Sequence, residues 1–167
     1  LERGHKVKVI DNLMYGSDPI IPFFKYDNFE FIQGDIRDQS IVKDSLKNID
    51  IIIHLAAIVG FPACKKAPEL AKTVNVDGTR LISDLRSKNQ VIYFGSTGSN
   101  YGDLENEICT EETPLNPLTE YGATKTEAEK YLLNSGNVVA FRFATAFGVS
   151  PRLRLDLLIN DFVYQAL

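Results

Sequence analysis

Asp50-Ile51-Ile52-Ile53-His54-Leu55-Ala56-Ala57 decides the fold. Three isoleucines in succession show no polar alternation, the pattern of a central strand buried on both faces, and the run ends in small residues. Working outward, similar β-branched runs recur at Lys6–Asp11, Phe29–Gln33, Gln90–Phe94 and Asn137–Phe143. Between them the period changes: Leu70, Val74, Leu81 and Leu85 fall on one helical face. Asn116-Pro117 reads as an N-cap followed by proline at the first helical position, with Gly136 as the matching stop. Strands alternating with helices predict an α/β fold, a parallel sheet with helices on both faces.

The two ends bear on how that sheet is wound. Leu1-Glu2-Arg3-Gly4 reads as the last turn of a helix running straight into a strand. In a Rossmann-type doubly wound sheet of order 3-2-1-4-5-6, the strand before that helix lies in the middle. Its absence would leave two buried strand edges without hydrogen-bond partners. Leu155 to Phe162 begins an amphipathic helix near the other end. The expectation is an internal fragment that lacks the first strand.

Composition narrows the function classes. Of 167 residues, 44% are hydrophobic and 24% charged, which rules out a disordered or fibrous chain. Eighteen Lys+Arg against 22 Asp+Glu give −4, with no basic face to track phosphates, so no nucleic-acid partner is expected. The apolar stretch from Ile51 to Pro62 contains His54 and is too short to cross a bilayer. The opening Leu1–His5 is too polar for a secretory signal. Cys64 and Cys109 have no C-x-x-C spacing, so neither a disulfide framework nor a metal site is suggested. The chain reads as soluble and cytoplasmic, with no membrane partner.

Several strand ends carry chemistry. Val9-Ile10-Asp11-Asn12 places an acid at a strand's carboxyl end, where α/β sheets bind ligands. Asp11 there could accept both ribose hydroxyls of an adenosine and repel a 2′-phosphate, favouring NAD over NADP; Asp-Asn after a strand is also an ordinary turn. In Gly34-Asp35-Ile36-Arg37-Asp38, Asp35 could accept from an adenine amino group while the Ile36 amide faces the ring nitrogen, and Asp38 could cap the next helix. Arg37 reads as a solvated charge. Leu55, Ala56 and Ala57 end the central strand, and the small side chains would let a cofactor approach the backbone. His54 lies in an apolar run, where a packed histidine competes with a catalytic base. Tyr121 and Lys125 are four apart on one helix face, and an ammonium beside a phenol favours the phenolate. Gly95-Ser96-Thr97-Gly98 is either a plain loop or the source of a hydroxyl, Thr97, to share a substrate proton with Tyr121.

Together these pieces resemble the extended short-chain dehydrogenase/reductases, specifically the NAD-dependent nucleotide-sugar epimerase/dehydratase family. The matching stretches add Asn75-Val76-Asp77-Gly78-Thr79, Tyr101-Gly102 and Arg142-Phe143-Ala144-Thr145-Ala146-Phe147-Gly148, and they run in the family's own order over essentially the whole chain. The resemblance implies Tyr121 as general acid/base, Lys125 on the nicotinamide ribose, and Thr97 orienting the sugar hydroxyl. It implies Asp11 and Asn12 at the adenosine, Asp35 and Ile36 at the adenine, Leu55, Ala56, Ala57 and Ala144 along the cofactor, and Asn75 as a polar support behind the nicotinamide. Residues 1–148 would form the NAD-binding domain and 149–167 a hinge and the first helix toward a substrate domain. The enzyme would be a homodimer, and the 167 residues alone would be inactive.

The departures from the family pattern are specific. Its glycine-rich pyrophosphate loop and its carboxyl-terminal substrate domain have no counterpart here. Thr145 stands where the family often has Asn at the sugar. Arg152 and Arg154 could meet a diphosphate or form a solvated hinge. The family's dehydratases place an Asp-Glu pair directly after the catalytic threonine, whereas Thr97 is followed by Gly98-Ser99-Asn100. Elimination of water needs a second acid and base. The expected activity is therefore epimerisation of a nucleotide-diphosphate sugar at C4 through a 4-keto intermediate. The alternatives are a 4-dehydrogenase/reductase and a non-catalytic NAD-binding module; the presence of Tyr121 and Lys125 speaks against the latter.

Overall fold

The computed structural model describes residues 1–103 and 108–167. They divide into two compact units, one of Leu1–Gln33 with Ala144–Leu167 and one of Gly34–Phe143.

In the first unit, β1 (Val7–Asp11) pairs in parallel with β2 (Phe29–Gln33), from Val7 opposite Phe29 to Asp11 opposite Gln33. The crossover carries a 3₁₀ turn at Ile21–Phe23. Its end packs Phe23 and Phe24 against Phe29, with ring centroids 5.8 and 5.5 Å apart. Asn28 ties the start of β2 to the segment before β1, its amide donating to the carbonyls of His5 at 2.7 Å and Leu1 at 3.0 Å.

The second unit holds three parallel strands in the order β3 (Ile51–His54), β4 (Val91–Thr97), β5 (Val138–Phe143). With β1 beside β2, these orders are those of a Rossmann-type doubly wound α/β fold. All five expected strands form, and β4 runs three residues beyond its apolar stretch, which makes Thr97 its last residue. α1 (Gln39–Ser45) is capped as foreseen by Asp38, whose carboxylate accepts from the amides of Ser40 and Ile41. α2 (Phe61–Lys66) and α3 (Pro68–Lys72) lead into a π-helical segment, Thr73–Gly78, which continues as α4 (Thr79–Leu85). α5 spans Glu120–Ser135 in the second unit, and α6 spans Leu158–Gln165 in the first.

Ile92 and Phe94 of β4 are fully buried against Ala128 and Leu132 of α5, together with Val42, Val74 and Ile82. β3 corrects one expectation. Ile52 and His54 turn toward this core, but Ile51 and Ile53 are 52% and 67% exposed. The helices packed on the strands lie on the Ile52–His54 side, and side chains alternate across a strand. On that other face Phe141 stacks on Phe143 with centroids 5.6 Å apart.

The start of α5 is the second correction. Its N-cap is Thr119 rather than Asn116, with the Thr119 hydroxyl accepting from the Gly122 amide at 3.1 Å. A threonine three residues ahead of a free amide, followed by Glu120 at the positive helix end, satisfies both capping and dipole preferences. Gly136 ends the helix as expected, at φ 75°.

Candidate active site

The amino end of α5 lies directly on the turn that follows β4. Gly122 makes this approach possible: a Cβ there would stand 2.8 Å from the Ser99 carbonyl oxygen. Thr97 ends β4 almost buried, its Oγ1 accepting from the Ser99 amide at 3.1 Å. The half-buried Tyr121 is thus held on the helix turn adjoining the Thr97 turn.

One helical turn on, Lys125 is only 2% exposed, and its Nζ lies 3.9 Å from the centroid of the Phe94 ring. Burial lowers its pKa to about 8, against a smaller opposing pull from the negative charge of Glu129. Glu129, a further turn along and 1% exposed, anchors a buried network. Its Oε1 accepts from Nε and Nη2 of Arg142 at 2.9 and 2.7 Å. Its Oε2 accepts from the Ser96 hydroxyl and from Asn100 Nδ2, the latter at 2.9 Å. Arg142 also donates from Nη1 to the Tyr101 hydroxyl at 3.0 Å and the Glu111 carbonyl at 3.2 Å. The carboxylate bonds hold the Arg142 guanidinium above its usual range.

Behind α5, the π-helical turn presents Asn75. Its Oδ1 accepts from the Ile58 amide at 2.7 Å, while Nδ2 donates to the Ile58 carbonyl at 3.0 Å and to Thr124 Oγ1 at 3.1 Å. Thr124 in turn donates to the Tyr121 carbonyl at 3.0 Å. A π-turn re-aims a side chain without ending the helix. Asn75 thereby joins the segment after β3 to the Tyr121 turn. Thr79 spends its one proton on the Asn75 carbonyl at 2.7 Å, so His54 Nε2 donates to Thr79 Oγ1 at 2.8 Å. Burial and the charge of Lys125 push His54 down to about 3. Neutral and packed, it is the structural histidine rather than a base.

Also in the second unit, Asp35 meets a partner the sequence did not suggest. Its Oδ1 accepts from the Arg37 amide and Nε, both at 2.9 Å, and its Oδ2 from Nη2 at 2.7 Å. Arg37 is exposed, as expected of a solvated charge, but it is also paired, and the carboxylate keeps its guanidinium charged more firmly than usual. Ile36 is buried under Gly78, where a Cβ would come within 2.7 Å of its Cδ1. Leu55 and Ala56 are exposed and Ala57 is half-buried at the end of β3.

In the first unit, Asp11, the last residue of β1, and Asn12 are exposed and form successive turns, Asp11 Oδ1 accepting from the Leu13 amide at 2.7 Å and Asn12 Oδ1 from the Met14 amide at 3.1 Å. Ala144 and Thr145 follow β5 in sequence and are exposed. Neither Arg152 nor Arg154 is merely solvated. Arg152 lies 3.7 Å from the Tyr15 ring centroid, and Arg154 pairs with Asp156 at 2.5 Å.

Each unit, taken by itself, offers groups of the kind a dinucleotide uses. Asp11 is an exposed acceptor at a strand's carboxyl end, Ala56 offers an exposed backbone with little side chain, and Lys125 is a buried cation. Among the described residues, no cluster of three or more His, Cys, Asp or Glu could hold a metal. No described helix is long and apolar enough to cross a membrane.

The sequence profile of the NAD dependent epimerase/dehydratase family matches residues 1–166. The chain belongs to that family, whose cofactor is NAD. It is 33% identical over 138 residues to the UDP-glucose 4-epimerase of Lactobacillus helveticus, covering 79% of this chain and 40% of that protein. A UDP-glucuronic acid 4-epimerase from Bacillus cereus, solved in complex with NAD, superposes with a TM-score of 0.83 at 25% identity, over 98% of this chain and 55% of that one. A dTDP-glucose 4,6-dehydratase from Streptomyces venezuelae with NAD bound gives 0.83 at 25% identity, over 96% and 52%. The chain spans about half the length of the curated relatives it matches.

The Glu129 network was missed in the sequence, although Tyr121, Lys125 and Glu129 recur every fourth residue and so share a helix face.

Proposed function

We propose that this chain belongs to an enzyme that epimerises a nucleotide-diphosphate sugar at C4, with Tyr121 as the acid/base. The observation that carries the reading is the buried Lys125 ammonium one turn from Tyr121, on a helix seated against the turn of Thr97.

NAD, when bound, takes a hydride from the sugar carbon and gives it back. Every other task falls to the chain. Thr97 orients the C4 hydroxyl, and the Tyr121 phenolate takes its proton as the C4–H bond breaks, leaving a 4-keto sugar. Lys125 holds positive charge beside the phenolate and binds the nicotinamide ribose. Asn75 keeps the Tyr121 turn fixed through Thr124. Tyr121 returns its proton when hydride re-enters from the opposite face. Asp11 and Asn12 take the adenosine ribose, Asp35 and Ile36 the adenine, Leu55, Ala56, Ala57 and Ala144 line the cofactor, and Thr145 contacts the sugar. Residues 1–148 serve as the NAD-binding domain and 149–167 lead toward the substrate domain. A homodimer acting in the cytoplasm completes the reading, on the strength of the family resemblance.

The test is Tyr121→Phe in the full-length enzyme. The catalytic rate should fall by about 10² to 10⁴ with sugar affinity little changed, the range for a positioned acid/base. A variant within about threefold of the parent removes Tyr121 from the chemistry, since an acid/base contributes far more than that.

A further inference from the structure

The Glu129 carboxylate does more than pair with Arg142. It is buried, its oxygens collect four donors from β4, the following turn and β5, and it lies one helical turn beyond Lys125. A buried ion pair with only a structural task could be replaced as a unit by apolar packing, often without loss of stability. Here two of the bonds converge on the Thr97 turn that the proposed reaction uses, and the carboxylate itself sits one helical turn from Lys125. Ser96 and Asn100 bracket Thr97 and its turn, so Oε2 clamps that turn from both ends. Oε1 is held by Arg142, which fixes the charge at this spot. Asn100 is itself fully buried and spends its amide on Ser96 and Glu129.

The groups that face Lys125 can be named. Tyr121 and Glu129 flank it on α5. His54 faces it from β3 and stays neutral above acid pH. Arg142 on β5 acts through Glu129. On α2, Cys64 is buried, and burial raises its thiol. On α4, Arg80 and Asp84 are taken up on the outer side by Glu127 and Tyr131. The negative charge acting on Lys125 is that of Glu129.

We propose that Glu129 is a positioning residue for catalysis, clamping through Ser96 and Asn100 the turn that presents Thr97 and supplying the counter-charge that keeps the Lys125 ammonium charged. The inference rests on the proposed acid/base role of Tyr121, but its main test does not require turnover.

In the NAD-loaded enzyme, NMR titration of ¹³C-labelled lysine, with the Lys125 signal assigned by Lys125→Met, reads the protonation of Lys125 directly. Glu129→Gln should lower its midpoint by about 1 pH unit, a tenfold loss of proton affinity. Arg142→Gln, which leaves the Glu129 charge unshared, should shift it by a similar amount in the opposite direction. The alkaline limb of the kcat profile should follow each shift, while KM for NAD stays within about threefold, because a positioning group acts on the chemical step. Ser96→Ala should lower kcat about tenfold, one hydrogen bond's worth, with Lys125 titrating as in the parent. A folded Glu129→Gln enzyme whose Lys125 midpoint stays at the parent value overturns the proposal, as do shifts of the same sign in both variants. If Glu129→Gln does not fold, the direction of the Arg142→Gln shift decides alone. An enzyme that turns over no nucleotide sugar would sink the functional reading, whereas an unmoved Lys125 titration would sink only the role of Glu129.

Discussion

The ammonium of Lys125 lies 3.9 Å from the centre of the Phe94 ring, with the side chain 2% exposed, so a cation is held on an aromatic face almost out of water. Such contacts strengthen when desolvated but do not replace lost hydration. The result is a lysine that loses its proton at about pH 8. In the proposed mechanism its charge would favour a phenolate at Tyr121 below that pH, and above it that support would be gone. The rate of sugar turnover should therefore decline above about pH 8. A kcat profile measured from mildly acid to alkaline pH checks this, and a rate flat well into the alkaline range would detach Lys125 from the chemistry.

His54 gives a stability prediction of definite sign. Its folded pKa of about 3 lies below the ordinary 6.5, so the unfolded chain binds more protons between those values. Its contribution is complete above pH 6.5 and is lost as pH falls toward 3. At mildly acid pH, about 1.5 units below the unfolded pKa, the loss is about 2 kcal/mol. Urea unfolding at neutral and at that acid pH should show this much extra loss in the parent compared with His54→Gln. Equal losses would mean that His54 is not buried neutral.

Thr97→Ala removes both the acceptor for the Ser99 amide and the hydroxyl proposed to meet the sugar. kcat/KM should fall by about 10², two hydrogen bonds' worth, whereas Thr97→Ser should keep most of the activity. Steady-state kinetics on the two variants decides, and equal losses would mark the methyl group rather than the hydroxyl.

Asp11→Ser tests cofactor choice. The exposed carboxylate at the end of β1 would stand against a 2′-phosphate, so its removal should shift the ratio of NAD to NADP efficiency toward NADP by about tenfold or more. A parent enzyme that uses the two equally would mean that Asp11 points elsewhere.

Much of this was legible in the sequence because strand punctuation is local. Each apolar run ends at a small or acidic residue, and the five runs match five strands to within a residue or two except at Thr97. The start of α5 was ambiguous because Asn116 and Thr119, three residues apart, are both good caps, and only the fold shows which side chain reaches a free amide. Three isoleucines announce an apolar strand but not how many of its faces the neighbouring helices cover. The spacing of Tyr121 and Lys125 could be read from helix geometry alone. The partners of Glu129 could not: Ser96 precedes it by 33 positions and Arg142 follows by 13, and only the sheet brings them together. Arg37 and Asp35 are two apart, yet a turn conformation, not a sequence rule, closes their pair.

The product of the reaction tests the central claim. Gly98, Ser99 and Asn100 follow Thr97, so the turn offers no carboxylate to take a proton from C5 or to expel the C6 hydroxyl. Full-length enzyme, loaded with NAD and incubated with candidate nucleotide hexoses, should yield a product of unchanged mass that chromatography separates from the substrate as its C4 epimer. Loss of two hydrogens would make the enzyme a 4-dehydrogenase instead, and loss of one water would contradict the account outright.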